Sequence, residues 1–407
     1  MTAARRLALA AASAGALAAC RPPAASVPAP APTAAPREVR IQMLRATVRH
    51  ILLGGVRDSA FPGAYVLIGT REGTLVEVGA GHLDWNPSPE PTAETLWDLA
   101  SLTKVFALTS SLMQLVEQGK VQLDAPVRQY LPDWSGGTEG VTVRHLLTHS
   151  SGLPSWRPLY KEATSPATAR ALVLATPLDT VPGARYVYSD LGAILLGLIV
   201  ERVSGEPLDA YTARHVFGPL GMTTTLYRPP GTLVARIAPT EFDPWRQRHL
   251  RGEVHDENAF ALGGVSGHAG LFGTGRDLAR LARAYLGGGT LEGARIFGEP
   301  TIAQFTARQD SALSHRALGW ETPNGTNSAG RRMSPRAFGH TGFTGTSFWV
   351  DPDAGIFVIL LTNRVNPTRE RFGIGPVRAA VADAALGALG SAAGDRASLS
   401  SSAASLP

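Results

Sequence analysis

Strand signals stand near both ends of this chain, with helical signals between them. Between Phe61 and Val78, β-branched residues cluster around the turn signal Arg71-Glu72-Gly73-Thr74, which predicts a hairpin. Towards the other end, Ser347-Phe348-Trp349-Val350 and Ile356-Phe357-Val358-Ile359-Leu360-Leu361 flank the turn Asp351-Pro352-Asp353-Ala354-Gly355 and predict a second hairpin. Helical patterning runs from Leu99 to Glu117, and again from Leu191 to Val203 ahead of a glycine stop at Gly205. A terminal apolar helix over about Val377 to Leu389 would cover one sheet face. Strands from opposite ends can share a sheet only if the chain returns on itself. The expected class is therefore α/β (α+β), an antiparallel sheet closed by N- and C-terminal strands and covered by helices.

The front of the chain predicts where the protein resides. Arg5 and Arg6 precede an apolar run from Leu7 to Ala19, too short to span a bilayer and built like a secretory signal peptide. It ends in Leu17-Ala18-Ala19-Cys20, which resembles a bacterial lipobox, and Cys20 is the only cysteine in 407 residues. Residues 1–20 thus read as a lipoprotein signal peptide, with lipid carried on Cys20. Residues 21–37 are rich in proline and alanine without apolar periodicity, as in an extended tether. Residues 38–390 form the expected catalytic domain, and 391–407 a low-complexity tail. The implied location is the bacterial cell envelope, lipid-anchored and facing the periplasm or the exterior. The remaining apolar runs are of core-helix length, the longest from Leu191 to Val200.

The formal charge of +5 comes mostly from arginine, in groups such as Arg246, Arg248, Arg251 and Arg331, Arg332, Arg336. No basic face with interleaved aromatics accompanies them, so no nucleic-acid partner is expected. No protein partner is evident either.

The chemistry is carried by Ser101-Leu102-Thr103-Lys104. Residues at i and i+3 share a helix face, so the Lys104 ammonium can lie beside the Ser101 hydroxyl and help manage its proton. Tyr188-Ser189-Asp190 and His340-Thr341-Gly342 follow at the order and spacing of the second and third motifs of serine β-lactamases and penicillin-binding proteins. Further stretches agree: Trp97-Asp98-Leu99-Ala100, Gly119-Lys120-Val121-Gln122-Leu123-Asp124, His145-Leu146-Leu147-Thr148-His149-Ser150-Ser151-Gly152, Pro219-Leu220-Gly221-Met222, and Val254-His255-Asp256-Glu257-Asn258-Ala259 running towards Gly267-His268-Ala269-Gly270. On these residues the chain resembles the class C β-lactamase-like serine hydrolases, over roughly residues 40 to 390, with the last stretch similar to an esterase or D,D-peptidase-type subgroup.

That resemblance implies a β-lactamase/transpeptidase-like fold with an inserted, mainly helical lobe, and an acyl-enzyme mechanism. Ser101 would be the nucleophile and Tyr188 the general base, a role that needs the Lys104 cation beside it. The backbone N–H groups of Ser101 and Phe343 would hold the oxyanion. Asp190, His340, Thr341, Gly342 and Phe343 would line the substrate site. No cofactor is implied.

Two positions depart from the family pattern. Asp190 stands where an asparagine amide commonly donates to substrate, and an ionised carboxylate has nothing to donate. It can pair with Lys104 instead. His340 stands where a lysine often supplies a fixed charge, and histidine is mostly neutral at pH 7. Both changes predict poor β-lactam turnover and a smaller or neutral acyl substrate. His145 and His149 have a metal-compatible i, i+4 spacing, but the glutamate of H-E-x-x-H is missing, so structural hydrogen bonding is expected and no metal. His255, Asp256, Asn258 and His268 sit in a glycine-rich segment able to line the pocket or to pack the loop. The expected function is hydrolysis of an ester or a D-amino-acid amide, either a small ester or a cell-wall peptide. A weak β-lactamase and a non-catalytic penicillin-binding-like lipoprotein are the alternatives.

If Cys20 carries the lipid, Cys20→Ser should release the protein from the membrane fraction or stall its processing. Mass spectrometry of the mature N-terminus checks this, and an unmodified terminus downstream of residue 20 would refute it.

Overall fold

The computed structural model describes residues 35–137 and 140–390. The expected signal peptide, Cys20, most of the tether and the tail lie outside the described residues. Five strands form one antiparallel sheet: β1 (Gly63–Thr70), β2 (Gly73–Gly81), β3 (Phe338–Thr341), β4 (Ser347–Asp351) and β5 (Ile356–Thr362). Their spatial order is β3-β4-β5-β1-β2. Both expected hairpins are present, and the seam between chain ends is β1 against β5, with Tyr65 opposite Leu361 and Val66 opposite Leu360.

Side chains along a strand alternate between faces, and here both faces are buried. Tyr65, Leu67, Phe357, Ile359 and Leu361 point into the larger core, shared with helices α2 (Ser110–Glu117), α3 (Asp190–Ser204) and α4 (Gly275–Leu286). Phe106 meets Phe348 edge to face there, with ring centroids 4.8 Å apart. Ala64, Val66, Ile68, Val358 and Leu360 point the other way, onto α1 (Arg37–Arg57) and α5 (Ile374–Leu389).

The sequence reading named only the C-terminal helix as a cover for this second face. Helix α1 shares it. Its buried residues Ile41, Leu44, Val48 and Leu52 recur every three or four positions, a single helical stripe. Arg37, Arg40, Arg45, Arg49 and Arg57 surround that stripe and hide it in any composition-based view. The helix at Ser101 also differs from the single regular one expected. It begins as a 3₁₀ turn (Ala100–Leu102), widens to a π-helical stretch (Lys104–Thr109) and only then becomes α2. Such π turns frequently occur at functional sites.

Because Leu52 is fully buried between α1 and the sheet, Leu52→Ala should lower unfolding free energy by about 2–5 kcal/mol. Urea denaturation reads this directly. A loss within about 0.5 kcal/mol, typical of a surface site, would show that α1 is not part of the cooperative unit.

Candidate active site

Asp98 builds the approach to Ser101. It ends a short strand, Trp97–Asp98, that pairs with Leu271–Gly273. Its buried carboxylate accepts from the Ala100 N–H at 2.8 Å and from the His255 N–H at 2.7 Å. This grip holds Ala100 in the left-handed region, φ +46°, an unfavourable place for a residue with a Cβ. The bend presents Ser101 at the start of the helical run. Lys104, 3 % exposed, lies one turn on and donates from Nζ to Ser101 Oγ at 2.8 Å and to the His268 carbonyl at 3.0 Å. The i, i+3 geometry expected from sequence is present.

Tyr188-Ser189-Asp190 forms the entry to α3. Ser189 caps the helix by accepting from the Gly192 N–H, while its hydroxyl donates to the Pro154 carbonyl at 2.7 Å. Asp190, in the first turn, places Oδ1 2.7 Å from Lys104 Nζ, an ion pair whose angle is poor for a hydrogen bond. Burial pushes the Lys104 ammonium down, but Asp190 and Tyr188 outweigh it, and the group is held above its usual range. Lys104 is therefore a resident cation, its charge 5.1 Å from the centre of the Tyr188 ring. His149 also packs on Tyr188, ring centroids 4.5 Å apart and the planes tilted by 40°. His149 Nδ1 accepts from the Ser189 N–H. Helix Val143–Leu147 ends before His149, whose φ is +56°, so His145 and His149 do not share a helix face.

The third segment, on β3 and the turn after it, reaches the same place. His340 is buried, its ring 6.0 Å from that of Tyr188. Its Nδ1 lies 2.8 Å from the Thr341 carbonyl, which can only accept, so Nδ1 carries the proton and Nε2 offers a lone pair. Burial, Arg316 and Lys104 hold His340 well below its ordinary range, so it is neutral at pH 7. Gly342 is required by contact: a Cβ there would meet Thr346 Oγ1 at 2.1 Å and the Leu99 carbonyl at 2.5 Å. Arg378 from α5 clamps this turn, donating to the carbonyls of Gly342 and Thr346 at 2.7 Å each. Phe343 stands half exposed, stacked between His255 and the Arg364 guanidinium.

Ser101, Tyr188, Asp190, His340 and Phe343 line one cleft of 1010 Å³ that also exposes Ser155, Trp156, Asp256, His268 and Arg316, while Lys104 lies behind Ser101 outside its lining. A second cavity, of 710 Å³ beside Arg170, Glu201 and Glu206, contains none of the predicted site residues. Arg316 is the site residue that sequence reading missed. It is 8 % exposed, and its guanidinium lies 5.1 Å from the centre of the Tyr188 ring. Its Nε donates to the Tyr186 hydroxyl at 3.2 Å, but Nη1 has no acceptor among the described residues. His340 Nε2 and Asp190 Oδ1 are likewise buried without hydrogen-bond partners. His340 is neutral, as its residue type suggests, and Arg316 brings a fixed charge to the cleft from a different segment.

The sequence matches the Beta-lactamase family over residues 45–383. The chain belongs to that family. A putative D-alanyl-D-alanine carboxypeptidase of Escherichia coli (strain K12) is 35% identical over 307 residues, covering 67% of this chain and 70% of that protein. The N-acetylmuramyl-L-alanine amidase of Bacillus subtilis (strain 168) is 37% identical over 351 residues, covering 76% and 79% respectively. Among solved structures, a family VIII carboxylesterase superposes with a TM-score of 0.69 at 24% identity, over 85% of this chain and 98% of that one. This member of the Beta-lactamase family is a serine hydrolase.

Around its cleft a polar girdle fixes the loops. His255 Nε2 donates to Glu241 at 2.8 Å, and Arg369 bridges Glu241 and Glu257 at 2.7 Å each. His268 Nε2 donates to Asp256 at 2.8 Å, which steadies the carbonyl that receives Lys104. Asn258 packs the loop, accepting from the Tyr160 N–H and donating to the Arg157 carbonyl. Burial raises the Glu241 carboxyl, but hydrogen bonds from His255 and Arg369 prevail and bring it from 4.5 to about 2.

A carboxyl lowered on folding stabilises fully above its unfolded pKa, and the gain disappears as pH falls through the folded value. Glu241→Gln should thus destabilise this serine hydrolase at pH 7, and the gap to wild type should close between about pH 4.5 and 2. Thermal melts across that range check the sign, and a gap that widens on acidification would contradict it.

Proposed function

We propose that this protein is a cell-envelope serine hydrolase that cleaves a D-amino-acid amide next to a free carboxylate, as a D,D-carboxypeptidase does, through an acyl-enzyme on Ser101. The observation that carries the choice of substrate is the buried Arg316 cation, whose Nη1 has no hydrogen-bond partner among the described residues, in the cleft with Ser101 and Tyr188. A buried guanidinium N–H left without an acceptor is costly, and a substrate carboxylate would supply one. The D-alanyl-D-alanine carboxypeptidase relative supports the same reading.

In this mechanism Tyr188 takes the Ser101 proton as Oγ attacks the carbonyl, then passes it to the leaving amine. Lys104, kept charged by Asp190, and Arg316 both face the Tyr188 ring and stabilise negative charge on it. Backbone donors at Ser101 and Phe343 hold the oxyanion, and water then releases the acyl group. Lipid on Cys20 would keep the domain at the membrane, near a wall-derived substrate. Ester hydrolysis is the second reading, favoured by the lack of an amide donor at Asp190. β-Lactams, which carry both groups, gain Arg316 but still meet Asp190, so weak β-lactamase activity remains a side reaction. A purely binding role leaves the Ser101–Lys104 pairing without purpose.

Ser101→Ala should remove at least about three decades of turnover with the fold intact. Arg316→Ala should lower kcat/KM for an acetylated D-Ala-D-Ala peptide by roughly ten- to a hundredfold. A short nitrophenyl ester, which has no carboxylate and loses only the contribution of Arg316 to the charge on Tyr188, should fall by a clearly smaller factor. Ser101→Ala retaining more than a tenth of the activity would remove the nucleophile assignment. Equal loss on both substrates after Arg316→Ala would remove the carboxylate reading.

A further inference from the structure

A row of exposed aromatics leads away from the cleft. Trp156, 43 % exposed, lines the cleft with Ser101, and its ring lies 6.3 Å from Tyr160. Tyr160 meets Trp245 at 4.7 Å, and Trp245 meets Phe260 at 5.9 Å. Trp245 and Phe260 are 42 % and 36 % exposed. Contiguous exposed rings at the mouth of a site are unusual for a soluble surface and mark a place of contact.

The row rests on a rigid base. Under it, the buried ion pair of Asp243 and Arg246 is locked in place. Arg246 donates to the carbonyls of Val254 and His255 at 2.7 and 2.6 Å, and its guanidinium lies 4.8 Å from the centre of the Phe260 ring. Asp243 accepts from the Trp245 N–H at 2.7 Å. His255 is tied in turn to Asp98, which shapes the bend at Ser101. The aromatic row and the nucleophile are thus held in one frame, and a ligand gains stacking without first ordering the loop.

The rim carries both signs: Arg248 pairs with Glu253 at 2.7 Å, Arg157 lies 3.7 Å from Glu162, and Lys161 sits over Tyr160. Such a rim offers no single-signed face to lipid phosphates and no wholly apolar groove for an acyl chain. Flat apolar faces edged by mixed polar groups match a pyranose, whose C–H face can stack on a ring while its hydroxyl and acetamido groups reach the rim.

We propose that Trp156, Tyr160, Trp245 and Phe260 form a glycan subsite that seats N-acetylhexosamine rings of a glycopeptide whose peptide enters the Ser101 cleft. The glycopeptide part rests on the D-alanyl peptide reading above; the sugar contact does not. Two measurements test it on the whole protein. In the first, Ser101→Ala protein is titrated with a β-1,4-linked N-acetylglucosamine tetramer while tryptophan fluorescence is followed. Saturable quenching, lost in the Trp245→Ala and Phe260→Ala versions of that protein, is expected. In the second, kcat/KM is compared for a D-Ala-D-Ala peptide with and without an attached N-acetylhexosamine disaccharide. The glycopeptide should be favoured about tenfold, and Trp245→Ala should bring the ratio towards one with the plain peptide unchanged. No saturable quenching in the first measurement, or a wild-type ratio of one in the second, overturns the proposal. So does tetramer binding that survives both substitutions, or an effect of them confined to anionic phosphatidylglycerol vesicles. If neither peptide is cleaved, the D-alanyl reading fails and the tetramer titration alone decides the subsite.

Discussion

The buried ammonium of Lys104 is the constraint on which the site depends. A cation withdrawn from water is tolerated only when opposing charge and hydrogen-bond acceptors surround it. Here Ser101 lies one turn earlier on the same helical run, Asp190 opens α3, and the His268 carbonyl comes from the glycine-rich loop. Three segments far apart in sequence are drawn to one nitrogen. The arrangement also constrains the proposed mechanism: a lysine held charged is no base, so proton removal is assigned there to Tyr188, and field and orientation to the lysine.

The surroundings extend that electrostatic logic. His149 and His340 flank Tyr188, and both are held well below their ordinary range, by burial first and by Arg316 and Lys104 next. The imidazoles stay neutral because burial disfavours their charged form and two cations already occupy the neighbourhood. A further arginine, Arg378, is pushed down to about 10 by burial and by Arg364, yet it stays charged at neutral pH and clamps the turn at Gly342. The cleft lining thus sets Arg316, Arg364, Arg369, Arg371 and Arg378 against Asp190, Asp256, Glu257 and Glu321.

Much of the site was legible because its chemistry is written locally. Ser101 and Lys104 share a helical turn, a short-range pattern with a physical reason attached. That Ser189 caps the helix Asp190 enters, and that Gly342 lets its turn touch the distant Leu99, emerged only in the folded chain. Arg316 was not legible, since nothing beside it in sequence distinguishes it from other arginines. Only packing against Tyr186 and Tyr188 makes it a site residue. Asp98 and His255 were visible within family-like stretches, but the hydrogen bonds that make them a brace cross 157 positions.

By itself the sequence determined the hairpins at both ends, the antiparallel closure they force, the order of three motifs and the pairing of serine with lysine. The hairpins and the serine–lysine pairing follow from periodicities of two and of three to four residues and from turn chemistry, settled within a few neighbours, whereas the order of the motifs was read through the family resemblance. Tertiary structure alone decided that α1 covers the second face of the sheet, that the first helix starts through 3₁₀ and π turns, and that the cleft holds a guanidinium whose Nη1 has no partner among the described residues. Each of these depends on which distant surface a segment meets, and burial, dielectric and partner are properties of the assembled chain rather than of any residue in it.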